Sequence, residues 1–148
     1  MTRVWGAVVA VALTACRQSP PPPAVGCAAP PASEALGAWL EADCYGDWPA
    51  DAVVRRSAMN PGGVRVFRTP DLEASLRADS AAHPVGVAAV REMYAADLVT
   101  RTGRSAMVKT AQGWFWYERF DRQSAPSVAS IVAPGCTGCH SAARDAVL

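Results

Sequence analysis

Apolar residues recur along this chain at two spacings, and the change between them marks out its elements. Behind Ser33 as a helix cap and Glu34 in the first turn, Leu36, Trp39 and Leu40 fall three and four apart, which predicts a short amphipathic helix ending near Asp43. Cys44, Tyr45, Gly46, Asp47, Trp48 and Pro49 read as a turn-rich aromatic segment, and residues 52–59 fit a strand or a helix equally. Pro61, Gly62 and Gly63 predict a turn into a strand over 64–68. Pro70, followed by Leu72 and Leu76, predicts a helix to about Asp79, closed off by His83 and Pro84.

Over residues 85–94 the odd positions are Val85, Val87, Ala89, Arg91 and Met93, so a strand there sets one arginine in an otherwise apolar face. An unpaired buried guanidinium is strongly disfavoured, and Arg91 is expected either to meet an anion or to lie exposed at a strand end. Thr102, Gly103 and Arg104 read as a turn into 105–109. Gln112 and Gly113 then turn the chain into Trp114, Phe115, Trp116, Tyr117, Glu118, Arg119 and Phe120, a hairpin whose second strand carries rings on both faces.

The first residues follow a different rule. Arg3 precedes an apolar run over 4–13 that is too short to span a bilayer stably, the build of a secretory signal peptide. The run ends in Leu13-Thr14-Ala15-Cys16, which resembles a bacterial lipobox; cleavage before Cys16 and acylation of that residue would give lasting membrane anchorage. The alternative is an ordinary signal peptide that happens to contain a cysteine. Arg17 stands where inner-membrane retention would usually require Asp, which favours the outer membrane in a Gram-negative cell. Proline dominates 19–32 and predicts an extended tether. The expected organisation is a signal segment over 1–15, a lipidated tether over 16–32 and one domain over 33–148, on the periplasmic or cell-surface side.

Length and composition agree with one domain: 148 residues, 51% hydrophobic, net charge +1. No basic run is present, so the electrostatic footprint of a nucleic-acid binder is missing. Of the five cysteines, Cys27 and Cys44 are left as a pair once Cys16 and the C-terminal two are assigned. In an oxidising compartment they are expected to form a disulfide stabilising the fold by roughly 3 kcal/mol, with two separate buried thiols as the alternative.

The chemistry sits at the other end, in Cys136-Thr137-Gly138-Cys139-His140. C-x-x-C-H is the attachment pattern of a c-type haem: each thiol forms a thioether to a haem vinyl group, and the adjoining imidazole ligates the iron. A zinc site would need another pair of ligands, and the one other histidine, His83, stands alone upstream. A thioredoxin-like pair is expected early in a chain, at a strand-to-helix junction. Residues 141–148 hold no Met, His or Lys, so a sixth iron ligand must come from upstream, where the candidates are His83, Met59, Met93, Met107 and Lys109. None sits in a ligand motif, and a five-coordinate iron with an open face is expected.

From about Trp48 onward the chain resembles the cytochrome P-460 and cytochrome c-prime-beta family. The resemblance is carried by Val64-Arg65-Val66-Phe67, by His83-Pro84-Val85-Gly86-Val87-Ala88-Ala89-Val90-Arg91-Glu92, by Ser105-Ala106-Met107-Val108-Lys109, by Gly113-Trp114-Phe115-Trp116-Tyr117 and by the C-terminal motif. It implies an α+β fold, a predominantly antiparallel β-sheet domain with a few short helices and a C-terminal c-type haem site. It also implies one covalent haem c handling small nitrogen species, by oxidation of hydroxylamine or by binding of nitric oxide or carbon monoxide. A redox partner protein, and a homodimer, fit the same resemblance. P-460 proteins use a lysine in the context Val-Lys-Glu for an extra covalent link to the haem; here the context is Val90-Arg91-Glu92, which sets hydroxylamine oxidation in doubt and favours gas binding. Lys109 matches a different family position and does not inherit the link, and Arg65 matches a pocket arginine to within a residue of register. Arg91, Arg65 and Lys109 are thus the pocket candidates. The alternative function is electron transfer through a six-coordinate haem.

Overall fold

A computed structural model describes residues 26–57 and 61–147. The expected signal segment, Cys16 and Met59 lie outside the described residues.

Six strands pair in chain order into one antiparallel sheet: β1 (Arg55–Arg56), β2 (Gly63–Arg68), β3 (Ala88–Tyr94), β4 (Arg101–Thr110), β5 (Gly113–Phe120) and β6 (Val128–Ser130). With helices α1 (Leu36–Glu41), α2 (Pro70–Arg77) and α3 (Pro134–His140), this is an α+β arrangement. Both edge strands, β1 and β6, are very short, which limits the unpaired backbone offered to other chains.

Alternation along the strands makes both sheet faces apolar, and each is covered. On one face Phe67, Ala88, Val90, Ala106, Val108, Phe115 and Tyr117 pack beneath Leu36, Trp39 and Leu40 of α1 and beneath Tyr45. On the other, Val87, Met107, Trp114 and Trp116 pack with Leu72 of α2 and with Ala133, the residue before α3. The aromatic strand β5 is therefore a shared wall between two cores.

Local signals explain α2 better than α1. Thr69 Oγ1 accepts the Leu72 N–H at 3.4 Å, Pro70 opens the helix, Asp71 and Glu73 lie in the first turn and Arg77 in the last, all favourable to a helix dipole. α1 has no side-chain cap. Ser33 Oγ accepts the Ala35 N–H at 3.3 Å instead, so the helix starts at Leu36, later than the sequence pattern predicts. Burial of its apolar stripe holds it, together with a disulfide between Cys27 and Cys44 (Cα–Cα 5.0 Å) and a bond from Trp39 Nε1 to the Ala28 carbonyl at 3.0 Å.

Two sequence expectations are corrected. The strand over 85–94 begins only at Ala88, because Gly86 takes a φ of 94° in a turn that leaves Val85 exposed. Thr102-Gly103-Arg104 is not a turn but the body of β4. The reversal comes earlier, where the Asp97 carboxylate accepts the N–H groups of Val99 (3.0 Å) and Thr100 (2.9 Å) and Leu98 takes a φ of 59°. Gly103 serves close approach: a Cβ there would fall 2.7 Å from the Arg119 carbonyl oxygen. Among the described residues no helix is long and apolar enough to cross a membrane.

Candidate functional site

The C-x-x-C-H residues are the body of α3. Pro134 starts the helix, the N–H groups of Cys136 and Thr137 both reach the Ala133 carbonyl at 2.9 Å, and buried Ala133 anchors this end to the sheet. Helical spacing puts Cys136, Cys139 and His140 on one side of α3, three and four residues apart. Both cysteines are free thiols, Cys136 half-buried and Cys139 exposed. The Cys136 thiol is pushed up first by burial and then by the nearby Glu118 carboxylate, against the pull of Arg91. That environment keeps a thiol protonated, the opposite of what a redox-active C-x-x-C pair needs.

His140 lies edge-on to Trp116, with ring centroids 4.8 Å apart. Its Nδ1 is 2.6 Å from the carbonyl oxygen of Ala146. A carbonyl only accepts, so Nδ1 carries a proton, and in the neutral ring the lone pair then lies on Nε2, the tautomer a metal-binding imidazole needs.

The Ala146 carbonyl is itself held. Residues 144–146 form a short 3-10 turn in which Asp145 (φ 45°) and Ala146 (φ 65°) both take left-handed backbone conformations. Asp145 Oδ1 accepts from Lys109 Nζ at 2.5 Å and from Trp114 Nε1 at 3.2 Å, its Oδ2 accepts the His83 N–H at 2.7 Å, and its backbone carbonyl accepts Trp114 Nε1 at 2.9 Å. Burial alone would raise the Asp145 carboxyl, but these donors outweigh it and hold the group below its ordinary range.

The sheet face beneath α3 carries a polar row. Val66, Arg91, Ser105, Glu118 and Val128 are successive cross-strand partners, and paired residues of an antiparallel sheet share a face. Arg91 Nε donates to Ser105 Oγ at 3.0 Å, and its Nη2 lies 3.5 Å from Glu118 Oε2. Arg91 thus meets an anion in Glu118, from two strands away, while its side chain stays partly exposed. In the next row Ala89, Met107, Trp116 and Ser130 are partners, with Met107 and Cys136 in contact with the same apolar cluster.

The predicted site residues divide accordingly. Cys136, Cys139, His140, Arg91 and Lys109 come together on one side of the sheet. Arg65 does not: it pairs in register with Glu92, on the opposite face, where its Nε donates to the Asp51 carbonyl at 3.0 Å and its guanidinium covers Phe67. Arg65 therefore lies on the face opposite Arg91, since one residue of register exchanges the two faces. Lys109 is engaged by Asp145. His83 is buried, its Nδ1 2.8 Å from Ser75 Oγ and its ring edge-on to Trp114.

Sequence reasoning missed Glu118, Trp116 as a partner of His140, and Asp145. Alternation from Trp114 and Trp116 reaches Glu118, so that residue was legible; Asp145 lies in a tail without periodicity. A cleft of about 400 Å³ lies elsewhere, between the Cys27–Cys44 disulfide, Trp39, Trp48 and the start of α2, and contains none of the C-terminal motif. No protein-family model and no curated protein matches this chain.

Proposed function

We propose that this chain is a lipid-anchored mono-haem c-type cytochrome, similar to the cytochrome P-460 and c-prime-beta proteins, that binds nitric oxide or a related small nitrogen species at a five-coordinate iron. One observation carries the reading: within a C-x-x-C-H helix, the His140 Nδ1–H is already committed to a backbone carbonyl, with Nε2 left as the free donor. Two free thiols, one for each vinyl group, and one such imidazole for the iron are the protein groups a covalent haem requires. Among the described residues no three His, Cys, Asp or Glu side chains gather as a metal site of their own.

When bound, the haem supplies an iron that takes a diatomic or nitrogenous ligand and exchanges electrons with it. The chain's own residues do the rest. Cys136 and Cys139 would hold the ring through thioethers, His140 Nε2 would be the donor to its iron, and Trp116, edge-on to His140, limits the tilt of the imidazole. The Arg91–Ser105–Glu118 row provides donors and an acceptor for haem propionates or for the ligand's own N–H and O–H groups. Arg91 offers a planar guanidinium where the resemblance calls for a cross-linking amine, so binding is favoured over hydroxylamine oxidation.

The test is the spectrum of the protein produced in a haem-attaching bacterial host. A pyridine haemochrome of the two-thioether type, a high-spin ferrous spectrum and its shift on adding carbon monoxide are expected. Protein without covalent haem would sink the proposal, and a sharp low-spin spectrum indifferent to carbon monoxide would sink its five-coordinate part. That second outcome would favour an electron carrier, with Met107 as the candidate sixth ligand, because it lies on the motif's side of the sheet, paired in register with Trp116.

A further inference from the structure

Five residues beyond the histidine, Asp145 is held from three directions: by Lys109 of β4, by Trp114 of β5 and by the backbone N–H of His83. Three part-buried donors thus converge on a turn of three residues. The backbone adds to the puzzle, because neither Asp145 nor Ala146 is glycine, yet both hold a left-handed φ. Such conformations persist only where surrounding contacts over-determine them. What they produce here is an orientation: the Ala146 carbonyl, one peptide on from the clamped carboxylate, points at His140 Nδ1.

We infer that Asp145, clamped by Lys109 and Trp114, is a positioning residue that sets the hydrogen bond from His140 Nδ1–H to the Ala146 carbonyl and through it the donor strength of His140 Nε2. The inference rests on the proposed haem ligation by His140. The physical link is direct. A short N–H···O=C bond gives the ring partial imidazolate character, strengthens Nε2 as a donor and favours ferric over ferrous iron; a lengthened one reverses each effect. The bland alternative is that Asp145 only closes the C-terminal turn, in which case its loss lowers stability without altering the imidazole of a folded protein.

The experiment uses the haem-loaded, full-length protein and reads the ferrous iron–histidine stretching frequency by resonance Raman, together with the reduction potential. Asp145→Ala is expected to lower the frequency and raise the potential. Because that variant also releases Trp114 and the His83 N–H and can unfold the turn, Lys109→Gln is the deciding variant: it removes the cation and leaves the other two donors. The inference predicts that K109Q shifts both readouts in the same direction, and that Lys109→Arg returns them to the parent values. A K109Q protein with unchanged frequency and potential, or a K109R protein displaced as far as K109Q, overturns the clamp. Failure of the underlying reading looks different, since the parent protein then carries no haem bound through His140 and its haemochrome reports this before any variant is compared.

Discussion

Arg91 on β3 and Glu118 on β5 face each other across β4, with Nη2 3.5 Å from Oε2 and the Ser105 hydroxyl between them. The arginine side chain is 43% exposed. A pair this open to water contributes about 0–1 kcal/mol, so its placement beside Cys136 matters for the site more than for the fold. Arg91→Ala is expected to change unfolding free energy by less than about 1 kcal/mol, measured by denaturant titration. In the haem-loaded protein it is expected to speed nitric oxide release by roughly tenfold, the loss of one charged hydrogen bond, read by stopped flow. Unaltered release would remove Arg91 from the pocket. In Arg91→Lys, an amine replaces the guanidinium, and a new covalent haem link seen by intact mass would show that this position has the family geometry.

On the opposite face Tyr45 is the hinge of a buried polar network. Its hydroxyl donates to Glu92 Oε1 at 2.8 Å and accepts from Arg104 Nε at 2.8 Å, while Arg104 Nη2 reaches Asp43 at 2.8 Å. Tyr45→Phe leaves a carboxylate and a guanidinium each short of a partner in a nearly dry site. The expected loss is about 1–3 kcal/mol by chemical denaturation, without effect on the spectrum of bound haem.

Gly103 supports a steric prediction. An alanine methyl would fall 2.7 Å from the Arg119 carbonyl and 2.9 Å from Phe120 Cα, backbone atoms of the paired strand that cannot step aside. Gly103→Ala is expected to destabilise by roughly 1–3 kcal/mol, read from the thermal midpoint. A neutral outcome would restore a turn at this position.

The titration behaviour has a definite sign at each end. Burial tends to raise both Asp51 and Asp145, but hydrogen bonds and neighbouring cations leave each below its ordinary 3.8. Their contribution is complete above that value and is lost as pH falls through the lower folded-state value, so stability should drop in strong acid; Asp145→Asn and Asp51→Asn should each flatten that drop. Tyrosines act at the other end. Burial, then Glu92, pushes Tyr94 up to about 12, and burial raises Tyr45 further still. Unfolded tyrosines ionise near 10 while these remain neutral, so stability should decline as pH rises from 10 towards 12. A flat profile over either window would contradict these placements.

By itself the sequence determined the ingredients. Turn residues ahead of β-rich runs specified β2 and β5, alternation specified β3, Pro70 specified the start of α2, and the C-terminal spacing specified the motif, because each of these signals is local and is satisfied within a few residues. Tertiary structure decided which face each residue serves. Arg65 and Arg91 look equivalent along the chain, yet register sends one to Phe67 and the other to Glu118. Gly103 reads as a turn until the neighbouring strand is seen to lie against it. Asp145 carries no pattern at all, and its role depends on donors from Lys109, Trp114 and His83 that only folding gathers. Short-range periodicity can state that a face exists, but what meets on that face is set by strand register and by contacts between residues far apart in the chain.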